Sequence, residues 1–148
     1  MPTGQPTKVF VSYSHDSPGH KERVLALANQ LRADGIDAIL DQYEISPPEG
    51  WPRWMDRQID ASDFVLLVCT ETYYRRVMGR EVPDRGHGVI WESNLIYQLI
   101  YDAAAAHARF IPILLSGGTP RHIPRPLRGA THYNLHAEDG YELLYRRL

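Results

Sequence analysis

Glu92 is the residue in this sequence whose type and spacing most directly suggest chemistry. Leu95, Ile96 and Leu99 follow it at i+3, i+4 and i+7, so its carboxylate stands at the head of an apolar helical stripe and is expected to be partly buried. A carboxylate in such a position can stabilise the cation that develops when a glycosidic bond breaks. A glutamate in a first helical turn can equally do no more than complement the helix dipole, and both interpretations stay open at this point.

The elements that would position Glu92 follow from an alternation of extended and helical patterns along the chain. The third extended segment, 64–69, consists of six apolar residues without alternation, which is typical of a central parallel strand covered on both faces. Pro112 in the fourth segment lacks a backbone N–H donor, and this favours an edge or irregular strand. The predicted strands are 8–13, 36–40, 64–69, 110–115 and 132–135, and the predicted helices begin near residues 18, 51, 90 and 139.

This alternation predicts an α/β fold of the flavodoxin type, a three-layer sandwich with a five-stranded parallel sheet of order 2-1-3-4-5 and helices on both faces. Ligands of such sheets bind beyond the carboxyl ends of the strands, near the switch point between strands one and three. The residues 14–16 and the segment from Thr70 onward follow those two strands. About twenty residues separate Thr70 from Ile90, and loops of this length usually carry function or contain a short helix. The helix that begins at Ile90 and ends near Ala108 starts at the same edge, so topology also makes Glu92 a candidate site residue.

The composition is that of a single globular domain. The chain has 148 residues, of which 43% are hydrophobic and 23% are charged, so one domain over 1–148 is expected, with a flexible polar stretch at 1–7. The chain ends on the apolar Leu148, which leaves open that the domain is a segment of a longer multidomain protein. A formal net charge of −2 provides no general attraction to nucleic acid or to anionic membranes.

A cytoplasmic location is expected from the cysteine content and from the absence of targeting signals. Cys69 is the single cysteine, so an internal disulfide is excluded and a buried, reduced thiol is predicted. The first residues contain no positively flanked apolar core, and no apolar run approaches the ~20 residues that span a bilayer. We therefore expect a soluble intracellular domain.

Several other chemistries lack the residues that they need. A phosphoacceptor of the receiver type requires clustered aspartates after strands one and three, where this chain has a Ser-His-Asp sequence at 14–16 and Thr70. No glycine-rich phosphate loop and no Gly-x-Ser-x-Gly elbow follows any predicted strand. His132 and His136 are four residues apart on a strand-to-loop segment, so a metal site is not expected. The basic stretch 121–128 is better explained as a solvated loop than as a nucleic-acid contact.

Several short motifs follow one another between Lys8 and Leu115. They are KVFVSYSHD at 8–16, His20, GI at 35–36, LDQY at 40–43, WPRW at 51–54, ASDFVLLVCT at 61–70, Tyr73 and GVIWE at 88–92. In this order they resemble the bacterial type of the SEFIR family, a branch of the Toll/interleukin receptor (TIR) superfamily. An ordered set of motifs is far more specific than any one of them alone.

The resemblance implies a TIR-like version of this fold, self-association of the domain, and one of two functions. Animal SEFIR domains and many TIR domains are signalling adaptors, whereas bacterial and plant TIR domains and some bacterial SEFIR proteins are associated with NAD consumption in anti-phage defence or cell death. In those enzymes a glutamate near the start of the helix after the third strand contacts the ribose beside the scissile nicotinamide bond, and the Trp91-Glu92 pair matches that position. The resemblance thus makes Glu92 the expected catalytic residue, with NAD as substrate and without a metal or bound cofactor.

The topology and the resemblance together assign expected roles to other residues at this edge. Asp41 and the segment 47–50 correspond to the loop that mediates assembly and gates the pocket in this superfamily. Ordinary turn or core roles are the alternative for most of these residues. The expected substrate-binding residues are Tyr13, Ser14, His15, Asp41, Trp51, Arg53 and Trp91, and the expected interface residues are Pro47, Pro48, Trp54 and Tyr73.

The sequence therefore leads to one hypothesis and one alternative. The hypothesis is a bacterial SEFIR/TIR-like effector, a NAD glycohydrolase that becomes active on self-association. The alternative is a non-enzymatic adaptor whose exposed loops only build an assembly. The expected partners are further copies of the domain, NAD, and a sensor or effector domain on the same or another chain.

Overall fold

The strands of the protein form one parallel sheet in a computed structural model that describes residues 6–78, 109–115, 117–129 and 131–148. The strands are β1 (Lys8–Ser12), β2 (Asp37–Ile39), β3 (Phe64–Val68), β4 (Phe110–Leu114) and β5 (Tyr133–Asn134). They lie in the order β2-β1-β3-β4-β5, and each neighbouring pair is parallel. This confirms the flavodoxin-type α/β fold and the strand order predicted from the sequence.

Four α-helices accompany the sheet within the described residues. They are α1 (Pro18–Ala33), α2 (Trp51–Ala61), α3 (Glu71–Val77) and α4 (Gly140–Arg147). α3 lies in the long segment after β3, where the sequence indicated function or a short helix. The helix predicted from Ile90 to about Ala108 lies outside the described residues. Of the helices that are described, none has the length and apolar character needed to cross a membrane.

The core lies in two layers, one on each face of the sheet, because successive residues of a strand point to opposite sides. Val9 of β1 packs with the apolar stripe of α1 and with Leu144 of α4. Phe10 lies on the opposite face, where it packs with Trp54 of α2 and Tyr73 of α3. Helices thus cover both faces of the sheet, as predicted.

The first helix has the bounds that its local sequence predicts. The Ser17 side chain accepts a hydrogen bond from the backbone N–H of His20 at 3.0 Å, and Pro18 takes the first helical position. After the helix, Gly35 adopts a φ of +93°, a conformation that favours glycine. Ser17 and Pro18 thus set the start of α1 shortly after the carboxyl end of β1, and Gly35 follows the end of the helix.

Pro112 was expected in an edge or irregular strand, and the edge position is wrong because β4 lies between β3 and β5. The backbone N–H of Cys69 donates to the carbonyl of Ile113, and that of Leu135 donates to the carbonyl of Leu114. Alternate residues of β4 therefore bond to β3 and to β5, and Pro112 shares the side of Leu114. Because β5 pairs only with Ile113 and Leu114, the missing N–H of Pro112 faces a part of the sheet that β5 does not reach.

Candidate functional site

One carboxylate and two ring side chains join the loops that follow β1 and β2. The Tyr13 hydroxyl donates a hydrogen bond to Oδ1 of Asp41 at 2.6 Å. Nε2 of His15 lies 2.9 Å from Oδ2 of the same carboxylate, and the rings of Tyr13 and His15 lie 4.9 Å apart. Three of the predicted substrate-binding residues are therefore brought together, and their contacts hold two neighbouring loops in one arrangement.

The electrostatics of this group keep Asp41 ionised. Burial by itself would raise the pKa of Asp41, but hydrogen bonds from His15 and Tyr13 outweigh it and hold the pKa below its usual value. The side-chain amide of Gln42 donates to the Tyr13 hydroxyl at 2.9 Å and to the backbone carbonyl of Lys21 at 3.0 Å. The Tyr13 hydroxyl thus donates to a carboxylate and accepts from an amide, which orients it.

Hydroxyl groups connect the end of β1 with the start of α3. The buried Ser14 hydroxyl donates to the carboxylate of Asp16 and lies 3.3 Å from Oγ1 of Thr70. Thr70 in turn accepts a hydrogen bond from the backbone N–H of Tyr73 at 3.1 Å, which caps α3. The hydroxyls of Ser12 and Tyr73 share a buried hydrogen bond of 2.7 Å. Ser14 and Asp16 also share a backbone hydrogen bond, from the Asp16 N–H to the Ser14 carbonyl, so their contacts form a local turn.

An open cleft of about 310 Å³ lies beside these contacts, at the carboxyl ends of β1, β3 and β4. Sheets of this topology bind their ligands at this edge. We call it the His20 cleft. Its lining includes Asp16, His20, Arg23, Cys69, Glu71 and Gly118.

His20 contributes a buried imidazole to the cleft from the first turn of α1. The residue is only 3% exposed, and its Nε2 atom is buried with no hydrogen-bond partner among the described residues. Burial lowers the pKa of His20; Asp16 opposes this shift, whereas Arg23 and His15 add to it. The imidazole is therefore neutral at neutral pH and can either donate or accept through Nε2.

The opposite side of the cleft is formed by the loop after β4, which lies close to the end of β3. A Cβ atom on Gly118 would lie 3.2 Å from the carbonyl oxygen of Cys69 and 3.1 Å from that of Leu115, so glycine permits this close approach. Burial raises the pKa of the Cys69 thiol, which stays protonated and is a poor nucleophile. Among the described residues, no three His, Cys, Asp or Glu side chains form a group that could hold a metal ion.

Two of the aromatic residues expected at an interface lie in the core. Trp54 is 4% exposed and Tyr73 is 1% exposed, and both pack with Phe10 on the face of the sheet opposite α1. Their burial favours a packing role over the expected interface role, because neither offers much surface to a second copy. Trp51 is half-buried with its ring 5.4 Å from that of Trp54, and Arg53 is exposed at the start of α2.

The segment 44–50, which we call the β2 loop, presents one large apolar side chain to solvent. Ile45 is 94% exposed. Pro48 is also exposed, whereas Pro47 is buried. Glu49 forms an ion pair with Arg57 of α2, which ties the end of the β2 loop to that helix. The loop therefore offers Ile45 and Pro48 for contact, with Pro47 anchoring its base.

Trp91 and Glu92 lie outside the described residues. The expected catalytic carboxylate and its neighbour therefore keep their roles as predictions.

Sequence reasoning assigns His20 no role in the site, although its spacing carries a signal. His20 precedes Val24 by four residues and Leu27 by seven, so it shares the buried stripe of α1. A polar side chain on the buried face of a first helical turn, at the ligand-binding edge of the sheet, is a candidate site residue for that reason. The tertiary structure adds that His20 lines the cleft.

Comparison with known proteins agrees with the sheet order. A family model of the SEFIR domain matches residues 7–148. The crystal structure of a prokaryotic SEFIR domain is 30% identical with a TM-score of 0.71, and the match covers 95% of this chain and 97% of that chain. The SEFIR domain of IL-17 receptor B shares the fold at 16% identity, with a TM-score of 0.66 and 97% of each chain covered, while no curated protein sequence matches. The chain therefore belongs to the SEFIR family of TIR-like signalling and interaction domains.

Proposed function

We propose that this SEFIR domain self-associates and then cleaves the nicotinamide–ribose bond of NAD, as an effector of bacterial anti-phage defence or cell death. The observation that supports a ligand-binding role is the His20 cleft, at the edge of the sheet where this topology places ligands. Its lining includes the polar or charged side chains of Asp16, His20 and Glu71, which can contact a small ligand.

Glu92 is the proposed catalytic residue, on the basis of the family resemblance at the Trp91-Glu92 pair. Its carboxylate would stabilise the positive charge that develops on the ribose as the C–N bond breaks. The electron pair of that bond leaves with the cationic ring, which departs as neutral nicotinamide. Water adds to the ribosyl cation, so the products are nicotinamide, ADP-ribose and one proton.

Tyr13, His15 and Asp41 are proposed to hold the remainder of the dinucleotide. Their hydrogen bonds keep the loops after β1 and β2 together, which gives a long ligand a surface at the same edge of the sheet as the cleft. Trp51 and Arg53 begin α2 directly after the β2 loop and would extend that surface with an aromatic face and a cation. Substrate binding before reaction requires such positioning groups as well as the carboxylate.

Self-association is proposed to occur through the β2 loop. The side chain of Ile45 is almost fully solvated, and its burial against a second copy is favourable by about 2 kcal/mol. The resemblance relates this loop both to assembly and to gating of the pocket. Assembly would therefore alter the pocket, and activity is expected to rise when copies of the domain are brought together.

A non-enzymatic adaptor is the second candidate function, and the exposure of Ile45 favours it as well. Both functions need an assembly surface, so association does not separate them. They differ in whether NAD is consumed.

The test is nicotinamide release by concentrated or artificially clustered protein incubated with NAD. The proposal predicts release that rises with clustering and is abolished by Glu92→Ala. Glu138→Ala is the matched control, because Glu138 is an exposed carboxylate in the segment before α4. Undiminished release in Glu92→Ala would remove Glu92 from the mechanism, and no release under any clustering condition would leave the adaptor function.

A further inference from the structure

His20 is a buried titratable group that borders open space. The residue is 3% exposed, and its backbone N–H is satisfied by the Ser17 side chain at 3.0 Å. Nε2 of its imidazole is buried and has no hydrogen-bond partner among the described residues, although buried polar atoms in native proteins are nearly always paired. The same residue lines the His20 cleft. The ring therefore lies beside a volume that it does not occupy.

This position suits the neutral imidazole and not the imidazolium. The ring packs beside that of Tyr13, with 6.2 Å between the two centroids, and His20 shares the buried face of α1 with Val24. A proton added to the buried ring creates a charge without an acceptor, which is far more costly than an unpaired neutral group. Burial accordingly lowers the pKa of His20, and Arg23 and His15 add to this shift. Protonation thus favours any rearrangement that brings the ring to a carboxylate.

Asp16 is the carboxylate that the ring can reach. It is exposed, it lines the cleft, and it opposes the lowering of the His20 pKa. Its carboxylate accepts from the Ser14 hydroxyl but forms no ion pair with a described residue. Asp16 precedes His20 by four residues, and the Cα–Cβ bonds of a helix point toward its N-terminus. Rotation about the side-chain bonds of His20 is therefore enough to bring the ring toward Asp16.

The other titratable groups that line the cleft cannot take the place of Asp16. Glu71 of α3 already forms an ion pair of 2.7 Å with Arg75. Burial raises the pKa of the Cys69 thiol, which stays protonated and carries no charge. His122, from the segment after β4, offers no negative charge. Within the described part of the lining, Asp16 is thus the carboxylate that is left for an imidazolium.

We infer that His20 is an acid-driven gate of the cleft, because on protonation its ring turns out of the core into the cleft and forms an ion pair with Asp16. At neutral pH the neutral ring stays packed beside Tyr13 and the cleft is open. The cleft volume of about 310 Å³ leaves room for an imidazole ring. The ion pair then occupies part of that volume and neutralises a carboxylate of the lining. The cleft is therefore smaller and less negative in acid, whatever ligand it takes.

The first experiment follows the ring of His20 by NMR in the wild-type protein between pH 7.5 and pH 5. We expect a nuclear Overhauser effect between the His20 and Tyr13 rings at pH 7.5, its loss as His20 titrates, and a new one from the His20 ring to the Asp16 β-protons. His136 is exposed after β5 and serves as the reference imidazole in the same sample. A Tyr13 contact that persists when His20 is fully protonated overturns the inference. Unfolding of the domain before His20 titrates overturns it as well, since the gate operates in the folded state.

The second experiment removes the charge of the acceptor. Asp16→Asn keeps the shape of the side chain, and we expect it to lower the pKa of His20 and to retain the Tyr13 contact at a pH at which the wild type has lost it. The lower pKa alone would follow from the loss of a nearby charge, so the contact decides. Asp56→Asn is the matched control, because Asp56 is exposed on α2, and it should behave as the wild type. Loss of the contact at the same pH in Asp16→Asn and in the wild type excludes Asp16 as the acceptor and overturns the inference.

His15 is the other imidazole whose protonation can alter the surroundings of Tyr13. Its ring lies 4.9 Å from that of Tyr13, and its Nε2 contacts Asp41. His15→Gln removes this titration and keeps a polar side chain. We expect the contact between the His20 and Tyr13 rings to be lost over the same pH range in His15→Gln as in the wild type. A contact that persists throughout in His15→Gln would assign the change to His15 and overturn the inference.

Discussion

The hydroxyl of Tyr13 donates a hydrogen bond of 2.6 Å to Asp41, and this contact links the residue after β1 to the second residue after β2. A hydrogen bond to an ionised acceptor is stronger than one between neutral groups. His15 approaches the second oxygen of the same carboxylate at 2.9 Å, so one side chain holds both loops. Any ligand that reaches this edge of the sheet therefore contacts two loops that are already held in one arrangement.

The Asp41 carboxylate is expected to contribute measurably to stability. Asp41→Asn removes the negative charge to which Tyr13 and His15 are hydrogen-bonded. We expect it to lower the free energy of unfolding by about 1–2 kcal/mol, measured from urea transitions at pH 7. Asp56→Asn is the matched control, because Asp56 is exposed on α2. An Asp41→Asn midpoint equal to the wild-type midpoint would show that the contact between the loops carries no net energy.

The same carboxylate predicts a pH dependence. The folded-state pKa of Asp41 lies below its ordinary value of 3.8, so its contribution is fully present above that pH and is lost as the pH falls through the folded pKa. The difference in unfolding free energy between wild type and Asp41→Asn should therefore shrink below about pH 4. A difference that stays constant down to pH 2 contradicts this.

His20 should make the domain less stable in mild acid. Its folded-state pKa lies below the ordinary 6.5, so the unfolded chain takes up a proton first, and stability falls as the pH drops below about 6.5. Asp16, which opposes the shift, and Arg23 and His15, which add to it, are the charged groups that act on the imidazole. Urea midpoints between pH 5 and 7.5 should show a smaller slope in His20→Phe than in wild type, while His136→Phe keeps the wild-type slope.

The docking of α4 is expected to depend on Gly140. A Cβ atom at this position would lie 1.9 Å from the carbonyl oxygen of Asn134 in β5, which no backbone tolerates without movement. We expect Gly140→Ala to lower the free energy of unfolding by about 1–3 kcal/mol, as other overpacked sites do. Gly129→Ala is the control, since a Cβ there meets no atom within 4 Å. Equal thermal midpoints for the two variants would contradict the close approach.

Ile45 is expected to contribute to self-association without contributing to folding. Because its side chain is 94% exposed, Ile45→Glu should leave the unfolding midpoint unchanged and should weaken association, measured by sedimentation at increasing protein concentration. Leu143→Glu is the matched control, since Leu143 is an apolar residue of α4 that is 44% exposed. Equal loss of association in both variants would indicate a general effect of charge and not a contact of the β2 loop.

Much of the fold was predictable because its signals are local. The apolar run of β3, the cap at Ser17 and the turn at Gly35 each act over a few residues, so the pattern predicts the strand and the bounds of α1. The strand order follows from the same alternation, because right-handed crossovers leave few other arrangements. The predicted order already places the fourth strand inside the sheet, but the reason that Pro112 is tolerated there was not predictable, since it depends on how far the neighbouring strand extends.

By itself, the sequence determined the order of the strands, the two buried faces and the family. The tertiary structure alone decided that Asp41 accepts from Tyr13, that Trp54 and Tyr73 are buried, and that Nε2 of His20 has no partner in the part of the chain that the structure describes. The physical reason is the distance along the chain over which each kind of interaction acts. Periodicity and capping arise between residues a few positions apart, whereas a hydrogen bond between loops, or a missing one, depends on which distant segments the sheet brings to the same edge.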